Sequence, residues 1–291
     1  MLYKAPSKIY LAGEYAVLKP NSVAVIACVD KYTYLDLEPS NVEKVISNID
    51  DKHNLLKNAR KVAFEYIGEY KTFAYTYTTD LYDKNMKLGL GSSASVVVVT
   101  IKALLEHFNI SYTKNTLFEL SVKAMLLSNM KGSMGDIACI CYETLIEYKS
   151  IYKDSFKYSI RPINLDKNLE ITCIHTGVEA STSKQISKLD IDSDEFNEFC
   201  KISDKYTNMY VKALETGNDK LLSLSIENLR KNLFELEKFS NITIHSEKIK
   251  EIINNNENCK TSGAGLGDFV VSVKLGEKNE KESTYEVCFR M

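Results

Sequence analysis

Two runs of small residues in this chain could hold an anion: Gly89-Leu90-Gly91-Ser92-Ser93-Ala94-Ser95, and Thr261-Ser262-Gly263-Ala264-Gly265-Leu266-Gly267-Asp268. Glycine lets a ligand come close to the backbone. Ser92 and Ser93 stand where they can cap a following helix. A helix opening near Ala94 would turn free N–H groups and its positive dipole end toward a phosphate. A serine-capped core helix accounts for the same residues, and the stretch alone leaves both readings open. Taken singly, the second loop is a tight turn between a helix and a strand. Lys8, in APSKIYLAGEYAVL, opens a strand that ends at Gly13 and Glu14, and by itself it reads as a surface lysine.

These residues need rigid elements behind them. The valine run Val96–Val99 has β propensity, yet the apolar pattern continues through IKALLEHF without a break, too long for an ordinary strand. Apolar residues on nearly every side predict a buried helix. KIYLAGEYAVL and VAVIACVDKYTYLDL read as strands separated by the turn KPNS, and FAYTYTTDLY as a strand with one wet face. Helical spacing covers residues 52–69, KNTLFELSVKAMLLSN, DEFNEFCKISDKYTNMYVKALETGN and DKLLSLSIENLRKNLFELEKF. FVVSVKL and the closing STYEVCFR are strand-like. Strands and helices mix without strict βαβ alternation, which favours an α+β fold. Lysine, serine and aspartate crowd YKSIYKDSFKYS. That composition shift suggests two domains, residues 1–165 and 166–291.

Composition excludes several classes. The 291 residues carry 37 basic and 39 acidic side chains, a formal charge of −2, so no basic face for nucleic acid is expected. No run approaches the roughly 18 consecutive apolar residues of a membrane span. MLYKAPSKIYLAGEY lacks the layout of a secretion signal, and the expected location is the cytoplasm. Seven scattered cysteines, with no CxxC pair, read as reduced buried thiols. His53, His107, His175 and His245 have no metal-ligand spacing, and no structural zinc is expected. GLGSSA fits the looser dinucleotide fingerprint, but no acid-ended strand follows in HFNISYTKNTLF, as that motif requires. The pattern GxxxxGK[ST] is absent.

Together, and in this order, APSKIYLAGEYAVL, GLGSSAS and TSGAGLGD resemble the three motifs of the GHMP kinases. NMKGSMGDIACICYETLIEY and GVEASTSKQI look like the acceptor-side segments of members whose acceptor already carries a phosphate, so the resemblance spans nearly the whole chain. There are departures: Ser7 replaces the usual glycine of PGK, Met86 and Lys87 stand where a proline often precedes the second motif, and Phe269 follows GD.

The resemblance implies an N-terminal ATP-binding α+β domain resembling part of a ribosomal protein, a C-terminal ferredoxin-like domain, and an active site in the cleft between them. It implies ATP and Mg²⁺, with γ-phosphoryl transfer to a small phosphorylated substrate, in a monomer or homodimer with no nucleic acid or membrane partner. Gly89, Leu90, Gly91, Ser92, Ser93, Ala94 and Ser95 would cradle ATP, with Ser93 on Mg²⁺. Lys87 would neutralise phosphate charge, and Lys8 would sit at the transferring phosphoryl. Ser133, Thr182, Ser183, Lys184, Gly263, Ala264 and Gly265 would bind the acceptor. Asp136, discussed as a base in relatives that phosphorylate alcohols, is expected here to orient Lys8 or help hold Mg²⁺, because a phosphate acceptor is already mostly dianionic at pH 7. The role expected for Glu14 is bracing a lysine or capping a strand end. The competing readings are an alcohol-phosphorylating member of the same family and a catalytically silent relative that only binds.

Overall fold

A computed structural model describes residues 1–47, 49, 51, 53–83, 86–130, 132–152, 157–178, 185–278 and 283–290. Cα proximity divides the chain into two compact units, Met1–Lys8 with Cys28–Thr144, and Ile9–Ala27 with Leu145–Met291. The boundary at 165/166 suggested by composition therefore falls inside the second unit. Strands β1 (Leu2–Ala12) and β2 (Val23–Pro39) each supply residues to both units.

In the first unit, β3 (Lys44–Ser47) pairs in parallel with β4 (Phe73–Thr79), which pairs antiparallel with β2 from Thr33↔Thr79 to Pro39↔Phe73. Along β4, Phe73, Tyr75 and Tyr77 are buried while the intervening residues are not, the period-two pattern of a sheet with one covered face. Helices α1 (Leu55–Ile67), α2 (Ser92–His107), α3 (Lys114–Leu127) and α4 (Gly135–Tyr142) pack on one another. The valine run lies inside α2, buried throughout. There, burial outweighs the helix cost of β-branched side chains, since each buried valine contributes roughly 1.5 kcal/mol or more. Thr100 bonds Val96 O at 2.7 Å and meets the Tyr77 hydroxyl at 2.9 Å, fixing α2 on β4.

In the second unit, β7 (Ile146–Tyr152) lies between the start of β2 and β8 (Lys157–Pro162), antiparallel to both. A separate sheet runs in the order β10 (Cys259–Thr261), β11 (Phe269–Leu275), β9 (Leu169–His175), β12 (Tyr285–Arg290), with the closing strand at the edge and parallel to β9. Helices α5 (Asp194–Thr216) and α6 (Asp219–Ser240) pack together across the Gly217–Asn218 turn. Ser193 caps α5 through Phe196 N–H, Asn218 caps α6 through Leu221 N–H, and Ser246 caps α7 (Glu247–Asn255) through Ile249 N–H. Phe196, Phe199, Leu233, Leu236 and Ile244 close a core with Tyr15 and Ala264.

His245 is buried beside that core. Its Nδ1 lies 2.5 Å from Glu237 Oε2, its ring stacks on Phe234 at 3.8 Å, and Glu237 also accepts the His245 backbone N–H. Burial lowers the His245 pKa below the ordinary 6.5, with Glu237 opposing. The unfolded chain therefore takes up a proton more readily. The contribution of this site is fully present above about pH 6.5 and is lost as pH falls below it, by at most about 1.4 kcal/mol per pH unit. Melting curves at pH 7.5 and 5.5 should show a smaller acid loss for His245→Asn than for the unmodified chain.

Candidate active site

The first glycine loop leads into α2 through Gly91, which holds φ at 86° and acts as the N-cap with no side-chain capping bond. Ser92 and Ser93 are the first helical residues rather than caps, a correction to the sequence reading. The serine that bonds elsewhere is Ser95: its hydroxyl donates to Pro6 O at 2.7 Å, tying α2 to β1. Leu90 O accepts the Lys8 N–H at 3.1 Å. Ser7, standing where the motif usually has glycine, is fully buried and donates its hydroxyl to Lys31 O on β2. Three consecutive β1 residues are thus hydrogen-bonded to their surroundings.

This fixed strand aims Lys8 at Asp136. The Lys8 side chain is 9% exposed and its Nζ lies 3.3 Å from Asp136 Oδ2, which is 36% exposed. The pair is therefore anchored at the lysine and open at the carboxylate. Asp136 sits in the first turn of α4, where the helix dipole favours an anion. A Cβ on Gly91 would come within 2.8 Å of Lys8 Cε and 3.5 Å of Asp136 Oδ2, so the glycine leaves the room that the pair fills. One turn along α4, Cys139 is fully buried, and burial raises its thiol well above the ordinary range, so it stays protonated. Ser133, half-buried, accepts the Gly135 N–H at 3.3 Å. Lys87 ends the short hairpin of β5 (Tyr82–Asp83) and β6 (Met86–Lys87), directly before the loop. This unit thus gathers Lys8, Asp136, Leu90, Gly91 and Ser95.

The second unit holds the other glycine loop. Gly263 and Gly265 have φ of 67° and 71°. A Cβ at Gly265 would meet Ile244 O at 2.5 Å, whereas none would meet an atom within 4 Å at Gly263. Beside the loop, Lys260 Nζ contacts Glu14 Oε1 and donates to Thr261 O at 2.7 Å. Both side chains are almost fully buried, at 1% and 3% exposure. Burial lowers the Lys260 pKa and Glu14 opposes that shift. Glu14 braces a lysine, one of the two roles expected of it. That lysine is Lys260, which sequence reading passed over as part of a loop. The available signal was its place in CKT, a cation between small residues, with Glu14 still lacking a partner. Thr182, Ser183 and Lys184 lie outside the described residues.

Residues 54–144, within the first unit, match the model of the GHMP kinases N terminal domain. Over that segment the chain matches this family, and nearly the whole chain has the GHMP kinase fold. It is similar to the phosphomevalonate kinase of Streptomyces sp. strain CL190, at 25% identity over 325 aligned positions covering 91% of this chain and 87% of the relative. A mevalonate kinase of Methanocaldococcus jannaschii is 25% identical over 173 positions, 52% of this chain and 54% of that protein. Among solved structures, Streptococcus pneumoniae phosphomevalonate kinase in complex with phosphomevalonate and AMPPNP superposes with a TM-score of 0.85, at 24% identity, over 95% of this chain and 92% of that one. No described helix is long and apolar enough to cross a membrane.

Proposed function

We propose that this chain is an ATP-dependent kinase that converts 5-phosphomevalonate to 5-diphosphomevalonate, a step of the mevalonate route to isoprenoids. The observation that carries the chemistry is the Lys8–Asp136 pair set under Gly91, at the uncapped start of α2. The phosphates of ATP lie against the backbone N–H groups of Gly89–Ser95, where the dipole of α2 favours negative charge. Lys87 neutralises part of that charge. Lys8 stands at the transferring phosphoryl and offsets the repulsion between donor and acceptor. Gly263, Ala264 and Gly265, with Ser133, Thr182, Ser183 and Lys184, bind the acceptor. The relative from Streptomyces supports this choice of acceptor.

Mg²⁺ fits the residues present. The half-exposed Asp136 carboxylate and the Ser93 hydroxyl are hard oxygen donors, and Mg²⁺ typically needs only one or two protein ligands when phosphates supply others. When bound, the ion neutralises charge on the phosphoryl oxygens. We place the enzyme in the cytoplasm, as a monomer or homodimer.

A coupled ADP-release assay with mevalonate and 5-phosphomevalonate in parallel tests the acceptor. Turnover of 5-phosphomevalonate alone is expected; turnover of mevalonate alone would favour the reading suggested by the archaeal relative. The pH profile tests Asp136. A phosphate monoester with a second pKa of about 6 needs no base, so the rate should level off between about pH 6 and 8. Asp136→Asn should lower kcat by a similar factor at every pH in that window, because its part is to orient Lys8 or help hold Mg²⁺, and neither passes a proton. A profile that instead loses a carboxylate-dependent limb in Asp136→Asn would restore a proton-transfer role.

A further inference from the structure

Between residues 10–15 and 260–264 run three side-chain bonds, all within the second unit. Ser262 Oγ donates to Tyr10 O at 2.8 Å, the Tyr15 hydroxyl donates to Ala264 O at 2.5 Å, and Lys260 Nζ pairs with Glu14. Tyr15 makes its bond from a backbone at φ 62° and ψ −49°, a conformation that a bulky residue rarely adopts. Such strain persists where the surroundings over-determine it, and it clusters at working sites. Around the pair, the Tyr210 hydroxyl and Thr261 Oγ1 are buried with no hydrogen-bond partner among the described residues. A buried ion pair contributes little net stability over apolar residues of similar size. Its presence beside polar atoms that lack a partner among the described residues calls for something other than stability.

We propose that Glu14 and Lys260 are positioning residues: together they set the backbone of the glycine loop, Ser262 to Gly267, in the shape that receives the acceptor substrate. Lys260 holds Thr261, the residue that leads into the loop, twice, through its own peptide and through Nζ on Thr261 O. Glu14 reaches it through Lys260 and through its neighbour Tyr15, whose hydroxyl holds Ala264. Neither side chain touches the reacting groups; each acts through the loop. This inference rests on the acceptor-binding role assigned above to Gly263, Ala264 and Gly265.

The test separates shape from stability. Glu14→Gln and Lys260→Met singly each leave one buried group without its partner, and both should melt well below the unmodified chain. The double variant Glu14→Leu/Lys260→Met removes both charges and should regain most of the melting temperature. If the pair positions the loop, that double variant still loses at least about tenfold in kcat with 5-phosphomevalonate while the KM for ATP stays within about twofold. Its amides from Ser262 to Gly267 also exchange hydrogen at least about tenfold faster, with exchange in α2 unchanged. A double variant with restored melting, normal kcat and normal loop exchange overturns the proposal. An unmodified chain that transfers nothing to 5-phosphomevalonate counts against the acceptor assignment instead, and loop exchange then decides the role of the pair alone.

Discussion

Lys8→Met should lower kcat by about 10³-fold while the chain keeps its fold, since removing one preorganised charge at a transferring phosphoryl typically costs factors of that order. The backbone at this position does not depend on the lysine head group. Pro6 O is held by Ser95, Ser7 by Lys31 O, and Lys8 N–H by Leu90 O. Methionine fills the same buried channel without a charge, so the melting temperature should move by only a few degrees. Lys8→Arg should not restore activity. The channel under Gly91 fits a slim alkyl chain, and a planar guanidinium cannot place a single charge where Nζ now lies beside Asp136. Steady-state kinetics with a parallel thermal melt checks this; a loss under tenfold in a folded Lys8→Met chain would remove Lys8 from the mechanism.

Gly91→Ala should cost about 10²-fold in kcat for a different reason. Alanine at φ 86° is strained by roughly 1–2 kcal/mol, which a domain of this size tolerates. The new methyl group would sit 2.8 Å from Lys8 Cε, so something must move. The lysine tip is the flexible partner and it yields, carrying Nζ away from Asp136. A displacement of about 1 Å at a catalytic group is enough for a hundredfold loss. The contrast is Gly265→Ala, where the methyl group meets the Ile244 carbonyl, which cannot swing aside. That variant should lose melting temperature first and activity with it. Equal behaviour of the two variants would contradict the assignment of Gly91 to the Lys8 channel.

The helices and most strands could be read from the sequence because their signals are local. The valine run of α2 was decided by length over propensity, and β4 by its alternating aromatic residues. The first glycine loop was legible as a phosphate-binding candidate and the second as a tight turn, and the order of the motifs along the chain carried the resemblance to the GHMP kinases. What escaped reading was non-local. Nothing near Lys260 in sequence marks it as the partner of Glu14, since the two are brought together only by folding. Ser92 and Ser93 have the composition of caps, yet a left-handed Gly91 takes that position with no side-chain capping bond, and Ser95, inside the helix, donates to Pro6 O. The interleaving of the units was hidden for the same reason: composition sees neighbours along the chain, and residues 9–27 join a unit whose remainder begins at 145.

That interleaving has a consequence for synthesis. When Thr144 leaves the ribosome, the first unit has every residue it uses, but residues 9–27 lack their partners. At ~5–20 residues per second, translating the remainder takes on the order of ten seconds. Throughout that interval the apolar stretch from Ile9 to Ala12 and Val23 to Ala27 has no native surface of its own unit to cover it. A nascent chain stalled near residue 150 should therefore recruit holdase chaperones to this segment, and a chain permuted to begin near residue 145, with Met1 and Met291 linked, should complete the second unit first.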